Sequence, residues 1–391
     1  MSKNYLIVNT GSASKKYAFY QDREKVFTAH FEMEEGTYIV SETYQGESKK
    51  KMLNKEQYIE AVGVVIASLI ENKIITSQTE INLAGVRIVA PGEYFLTNRI
   101  IDEKYLEMAE AALQKVPLHL GPALEEIKNL KKFLGNDFKI VGVSDTTFHA
   151  TIPEEAKFYA ISNKDSRELG LYRFGYHGIS VQSVTKRAAN MLGGLPEKTI
   201  VCHLGGGASV TAVKNGQSID TSMGFTPLEG LIMATRVGDI DPGAVLYLSE
   251  KLNKDFKELE SYFNNECGLL GLSGKSSDIR ELIEYEKNGD HDATLALTIY
   301  VNRIKQYIGR MAVMLGGVDL LILAGTVGER SNIIRGRICQ NLNFLGIELD
   351  EELNNSLIGV EAELNKKEVK TKILVIKTDE TEEIAQITYN I

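Results

Sequence analysis

Two apolar runs in this chain lead into turns suited to holding an anion. Tyr5-Leu-Ile-Val-Asn9 enters Thr10-Gly-Ser-Ala-Ser14 and then a second run, Tyr17 to Tyr20; Thr199-Ile-Val-Cys-His203 enters Gly205–Gly207 and then Ala208 to Val213. Both read as strand, tight turn, strand. Glycine has no Cβ, so backbone N–H groups in such turns can approach a phosphate closely. The first turn adds Asn9, Ser12, Ser14 and Lys16, which are neutral donors and one cation. Neither turn is a GxxxxGK[ST] loop or a GxGxxG dinucleotide fingerprint. A plain hairpin carries the same signature, so it is the pair, about half a chain apart, that points to two related halves facing a cleft.

Four other segments carry chemistry-bearing residues. Ile219 to Gly230, Met233 to Arg236 and Gly238 to Pro242 alternate polar residues, glycine and proline without helical or strand period. Long ordered loops on an α/β frame are where sites collect. Arg236 there either offers a guanidinium fork to phosphoryl oxygens or pairs at the surface with Asp239 or Asp241. Ser144-Asp-Thr-Thr-Phe-His149 follows a strand, which puts Asp145 where a carboxylate orients a nucleophile, holds a metal or caps the next turn. Phe174-Gly-Tyr-His-Gly178 sets His177 between glycines, unlike a helical core histidine. Gly85 to Gly92 places Arg87 in an apolar strand, where a buried cation needs an anionic partner.

The elements that must position these residues alternate. Helical period runs through Glu56–Glu71, Lys104–Lys115 and Pro122–Phe133, and later through Val181–Met191, Phe256–Phe263 and Ala293–Leu315. Strands are expected at Leu83–Val89, Lys139–Val143 and Asp319–Leu323, the last running into Ala324 to Glu329. This is an α/β class with parallel or mixed sheets. The 391 residues leave room for two or three domains, with 44 Lys plus Arg against 53 Asp plus Glu and a net charge of −9. An acidic balance disfavours general binding to nucleic acid or anionic membranes. Cys202, Cys267 and Cys339 are far apart and indicate neither a disulfide framework nor a zinc site. The apolar stretch near the N-terminus is too short for a signal peptide, and Ala312–Gly328 carries Asp319 and is too short to span a bilayer. The expectation is a soluble cytoplasmic protein.

Taken in order, these segments resemble the acetate kinase family, within the superfamily that also contains sugar kinases, heat-shock chaperones and actin. The most specific stretch is DTSMGFTPLEG (Asp220–Gly230) with Thr235-Arg236 and GDIDP; NTGSASKK, SDTTFH, RFGYHG, HLGGGASVTAV, GLLGLSGKSSDIR, AGTVGERS and FLGIELD support it across nearly the whole chain. The resemblance implies a two-domain actin-like fold, duplicated and ribonuclease H-like, with mixed sheets flanked by helices and a cleft between domains. Expected boundaries are 1–148 joined by 380–391, and 149–379, the latter nucleotide-binding and dimerising. It implies reversible transfer of the ATP γ-phosphoryl group to acetate, giving acetyl phosphate and ADP, with Mg²⁺ (Mn²⁺ being equally suited to oxygen ligands). The implied partners are acetate or acetyl phosphate and a nucleotide, with a homodimer and with neither nucleic acid nor membrane.

By position, Asn9, Ser12, Ser14 and Lys16 match the family's first phosphate turn, with His203 and Gly205–Gly207 in the second. Arg87 and Arg236 match its two substrate arginines, Asp145 its essential aspartate, and His177 the histidine that contacts phosphoryl oxygens. Asn9 and Glu380 fall at the magnesium site. Val89, Leu118, Tyr176 and Pro227 match the pocket for the acetate methyl, with Tyr176 in place of the usual phenylalanine. Asp278, Arg280 and the loop Gly325, Thr326, Val327, Gly328, Glu329 and Arg330 match the adenosine site.

There are departures from the family pattern. Val86 stands for a histidine, Ala90-Pro-Gly92 for HGG, Ile179 for a threonine and Val181 for a histidine. Gly206 stands for the asparagine of HLGNG, Thr326 for a glycine, Arg330 and Asp379 for asparagines, and Ala234 and Val237 alter the surroundings of Arg236. The phosphoryl-transfer set is intact and the nucleotide set is not. The alternatives therefore kept are pyrophosphate as donor, propionate as acceptor, or a non-catalytic homologue that binds nucleotide or acyl phosphate.

Overall fold

The computed structural model describes residues 3–11, 14–34 and 36–391. The chain divides into two compact units, Met1–Thr147 with Asp379–Ile391, and Phe148–Thr378.

The first unit contains β1 (Asn4–Thr10), β2 (Ser14–Gln21), β3 (Glu24–Glu34), β4 (Thr37–Tyr44), β5 (Glu47–Leu53), β6 (Leu83–Ile88), β7 (Arg99–Ile100) and β8 (Ile140–Ser144). They form one sheet in the order β5-β4-β3-β2-β1-β6-β8-β7. The pairs from β5 to β1 are antiparallel, and β1–β6 and β6–β8 are parallel. Helices Ala61–Glu71 and Pro117–Leu134 bury Val62, Val65, Leu69, Leu120, Ile127 and Leu130 in one core.

Two helices differ from the periodicity reading. The expected Glu56–Glu71 helix is split at Glu60 into Lys55–Ile59 and Ala61–Glu71. The carbonyls of Tyr58 and Ile59, which a continuous helix would use, accept from Lys15 Nζ at 2.8 and 3.2 Å. That buried ammonium also meets Glu126 at 2.7 Å, and burial holds the Glu126 carboxyl above its ordinary pKa. The second helix starts at Pro117, ahead of the expected Pro122. Proline suits the first helical turn, and Pro122 sits inside, where it leaves the Leu118 carbonyl without its usual donor.

The second unit contains β9 (Lys198–Leu204), β10 (Ala208–Lys214), β11 (Gln217–Thr221), β12 (Leu320–Ala324), β13 (Ala362–Glu363) and β14 (Lys372–Val375), in the order β11-β10-β9-β12-β14-β13. The two sheets repeat one pattern: β3-β2-β1-β6-β8 corresponds to β11-β10-β9-β12-β14, with antiparallel hairpins on one side and parallel strands on the other. The helix Gly178–Leu192 buries Val181, Val184 and Ala188 against Val201, Leu320, Ile322 and Leu374, and the long helix His291–Leu315 packs on β9, β10 and β11.

The helix Glu380–Asn390 lies on β1 and β6 of the first unit. A Cβ at Gly85 would overlap Thr388 Oγ1, so the glycine is what lets this helix approach β6. Two residues on and on the same strand face is Arg87. Gly85→Ala should therefore cost about 1–3 kcal/mol in urea unfolding. Gly206→Ala, whose Cβ would meet nothing within 4 Å, should stay within about 0.5 kcal/mol of the parent.

Candidate active site

In the first unit, three distant segments converge on Arg87. Its guanidinium donates from Nη2 to Asp145 Oδ2 at 2.9 Å, and from Nη1 to Glu380 Oε2 at 3.3 Å and Asn9 Oδ1 at 3.4 Å. Asn9 Nδ2 in turn donates to Glu380 Oε2 at 2.8 Å. The arrangement follows from the strands. Asn9 is next to last on β1, Arg87 next to last on β6, and Asp145 directly follows β8, its N–H bonded to the Ile88 carbonyl at 2.9 Å. Parallel neighbours end at one sheet edge, so all three side chains share it. Asp145 is 1% exposed and Arg87 14%. Burial works against the Arg87 charge, but Asp145 and then Glu380 outweigh it and hold its pKa above the ordinary value. Arg87 Nε is buried with no hydrogen-bond partner among the described residues.

The other expected residues of this unit are more dispersed. Lys16 is exposed on β2, opposite Asn9 in register, and lines a cavity of about 230 Å³ with Lys25, His30, Asp379 and Thr381. Ser14 accepts the Gly11 N–H at its carbonyl, 2.9 Å away, and Ser12 lies outside the described residues. Val89 is buried just past β6, whereas Leu118 is 41% exposed.

In the second unit the turn after β9 gathers the remaining groups. His177 has φ 61° and ψ 18° as the residue that starts the helix Gly178–Leu192. A non-glycine residue in this left-handed region costs about 1–3 kcal/mol, a strain that clusters at functional sites. Its Nδ1 lies 3.0 Å from Ser209 Oγ, and its ring centroid 4.3 Å from that of His203. His203 Nδ1 is 2.6 Å from Ser180 Oγ. A Cβ on Gly207 would stand 3.2 Å from His177 Nε2 and 3.4 Å from Arg236 Nη1, so that glycine lets a histidine and an arginine approach one spot. Arg236 Nη1 donates to the Pro227 carbonyl at 3.4 Å. Asp239 is engaged by Tyr307, Arg303 and the Gly230 amide, and Asp241 caps the helix Pro242–Leu252.

A cavity of about 540 Å³ opens beside this turn, lined by Gly205, Gly206, Asp278, Arg280, Thr326, Val327 and Arg330 among others. Asp278 accepts from Arg280 Nε at 3.1 Å and caps the helix Ile279–Lys287. The Arg280 hydrogen bond holds the Asp278 carboxyl below its ordinary pKa. Gly325, Gly328 and Glu329 have structural roles. Gly325 (φ 75°) lies against the Leu204 backbone, Gly328 lies against Leu323, and Glu329 Oε1 accepts the Thr378 N–H at 3.2 Å.

Sequence reasoning passed over the supports. Arg173, mostly buried, donates to the carbonyls of Thr221, Ser222 and Met223 and to Glu229, fixing the loop that carries Pro227. Its place two residues before Gly175 in RFGYHG was the available signal. Arg335, fully buried, spends its donors on Asn354 Oδ1 and the carbonyls of Gly328, Glu329, Asn354 and Leu357, and nothing in its helix pattern marks it.

The oxygen donors at Arg87 fit a hard divalent cation. Asn9, Asp145 and Glu380 offer an amide and two carboxylates, although among the described residues no three His, Cys, Asp or Glu side chains form a metal cage. Mg²⁺ usually keeps several waters and relies on one or two carboxylates plus substrate phosphates. No described helix is long and apolar enough to cross a membrane.

The model of the acetokinase family matches residues 4–386. Acetate kinase from Bacillus cytotoxicus is 39% identical over 393 aligned positions, covering 99% of this chain and 98% of that protein. The crystal structure of Porphyromonas gingivalis acetate kinase superposes with a TM-score of 0.88 at 35% identity, covering 100% of this chain and 99% of that one. A propionate kinase from Francisella tularensis gives 0.91 at 33% identity, with both chains covered completely. Arg87→Ala leaves the buried Asp145 without its cation and should lower unfolding free energy by about 3 kcal/mol, read in urea titrations.

Proposed function

This chain belongs to the acetokinase family, and on that premise we propose that it transfers the γ-phosphoryl group of ATP reversibly to acetate, forming acetyl phosphate and ADP. The observation that carries the reading is Arg87, fixed by Asp145 and Glu380 while its Nε stays a buried donor without a partner among the described residues. Such a donor suits an oxygen of a carboxylate or of a phosphoryl group in transit.

A carboxylate is already a nucleophile at neutral pH. An acetate oxygen attacks the γ-phosphorus, the bond to the β-phosphate oxygen breaks, and ADP leaves with the electron pair. Through a loose transition state this needs alignment and charge stabilisation more than a base. Arg236 and His177, both beside Gly207, are suited to the equatorial oxygens. Asp145 orients Arg87. Asn9 and Glu380 would hold Mg²⁺, which when bound supplies charge neutralisation across the β- and γ-phosphates. The cavity lined by Asp278, Thr326 and Arg330, at about 540 Å³, has the size of a small-molecule site and supports a nucleotide donor over pyrophosphate. Propionate remains the second acceptor, favoured by the likeness to the Francisella enzyme. We assign nucleotide binding and homodimer formation to the second unit, in the cytoplasm.

Trapping of acyl phosphate with hydroxylamine tests the reading. Product is expected with ATP, Mg²⁺ and acetate, and EDTA should abolish it. Product only with pyrophosphate would overturn the donor, and product only with propionate the acceptor. Silence with all of them from folded protein would favour the non-catalytic homologue. Arg236→Ala and Asp145→Asn should each lower kcat by about a hundredfold or more. At Gly206, where a side chain has open space, Gly206→Asn should lower the KM for ATP by returning a phosphate donor, measured at saturating acetate.

A further inference from the structure

We propose that the Tyr176 hydroxyl is a positioning group that keeps Arg236 aligned with His177, by tying the His177 segment to the loop that holds Arg236. The inference rests on the phosphotransferase reading above and goes beyond it, because it concerns the hydroxyl and not the ring.

Tyr176 is 1% exposed, and its hydroxyl donates to the Phe225 carbonyl at 2.6 Å. The Phe225 N–H donates to Tyr159 Oη at 2.8 Å. One peptide residue is thus held at both polar groups by tyrosines from elsewhere in the chain. The Tyr159 hydroxyl in turn donates a hydrogen bond to Glu229, which also accepts from Arg173 at 2.5 Å. Gly224 makes this possible, since a Cβ there would overlap both Glu229 Oε2 and Tyr159 Oη. The neighbouring backbone is stitched too: Phe174 and Gly175 donate their N–H groups to the Gly224 carbonyl at 3.1 and 3.3 Å.

Two residues past Phe225, the Pro227 carbonyl accepts from Arg236 Nη1. That same Nη1 faces the Gly207 position that His177 Nε2 faces. The circuit therefore closes. Tyr176 precedes His177, its hydroxyl holds Phe225, Pro227 holds Arg236, and Arg236 and His177 meet at Gly207. A phenylalanine at 176 fills the same volume but leaves the Phe225 carbonyl without this donor, so Pro227 gains freedom to move. Because the Pro227 carbonyl holds Arg236 Nη1, a Pro227 that can yield lets the guanidinium drift from the spot it shares with His177 at Gly207.

The test is Tyr176→Phe, read in two ways. Without substrate, hydrogen exchange across residues 225–236 should accelerate, while exchange in the helix His291–Leu315 stays at the parent rate. With substrate, kcat on acetate should fall by roughly three- to tenfold, the range expected for losing one buried hydrogen bond, while the KM for ATP holds. A role in stability alone would lower Tm and leave the kcat of the folded enzyme unmoved. An unchanged exchange rate at 225–236, or a kcat within twofold of the parent, overturns the proposal. The exchange measurement uses no substrate, so it decides the hydroxyl's positioning role even if the parent proves inactive on both acids, which would instead count against the phosphotransferase reading.

Discussion

The first unit is organised by one guanidinium shared between carboxylates that the chain delivers from far apart. Asp145 lies 58 residues from Arg87 and Glu380 lies 293. A buried cation without partners is not tolerated, and two buried carboxylates without a cation are no better. The C-terminal helix must therefore return to β1 and β6, and the strand it crosses must carry a glycine where Thr388 lies. The same electrostatic demand that closes the fold leaves Arg87 fixed and oriented, with its Nε to spare.

The second unit solves a related problem with backbone geometry. Missing side chains at Gly224 and Gly325 allow approaches that any Cβ would block, and at Gly207 one that a Cβ would crowd. The left-handed backbone at His177 is held in place by the helix it starts and by Ser209. Arg173 pairs with the Glu229 carboxylate as well as the carbonyls of Thr221, Ser222 and Met223, whereas Arg335 donates to carbonyl oxygens and the Asn354 side-chain amide. Carbonyl partners fix geometry without cancelling charge, which leaves the field available to an anion.

The departures from the family pattern sort by location. Val181, where the resemblance implies a histidine, is buried in the core with Val184 and Ala188, where an apolar residue packs without needing a polar partner. Gly206, Thr326 and Arg330 instead line the large cavity, with Thr326 and Arg330 exposed. Changes there alter what the wall offers a ligand and leave the frame intact, in keeping with TM-scores of 0.88 and 0.91 to relatives at 35% and 33% identity.

The sequence by itself determined the strand–turn–strand pairs, the alternation of helices and strands, and the motifs in their order, because period and turn chemistry are local properties of the chain. It also implied that Arg87, in an apolar strand, required an anion. Only the tertiary structure decided which anions those were, since Asp145 and Glu380 reach it through parallel pairing and a returning helix that no local pattern encodes. The split at Glu60 was likewise invisible: the helical period runs through it, and the donors that draw the carbonyls away are Lys15, 43 residues from Tyr58, and Asn129, 70 residues from Ile59. Tyr176 could be read as a pocket residue, but the role of its hydroxyl depended on where the Phe225 carbonyl lay, 49 residues on. Local propensities choose elements, whereas buried polar groups choose their partners only when the chain has closed around them.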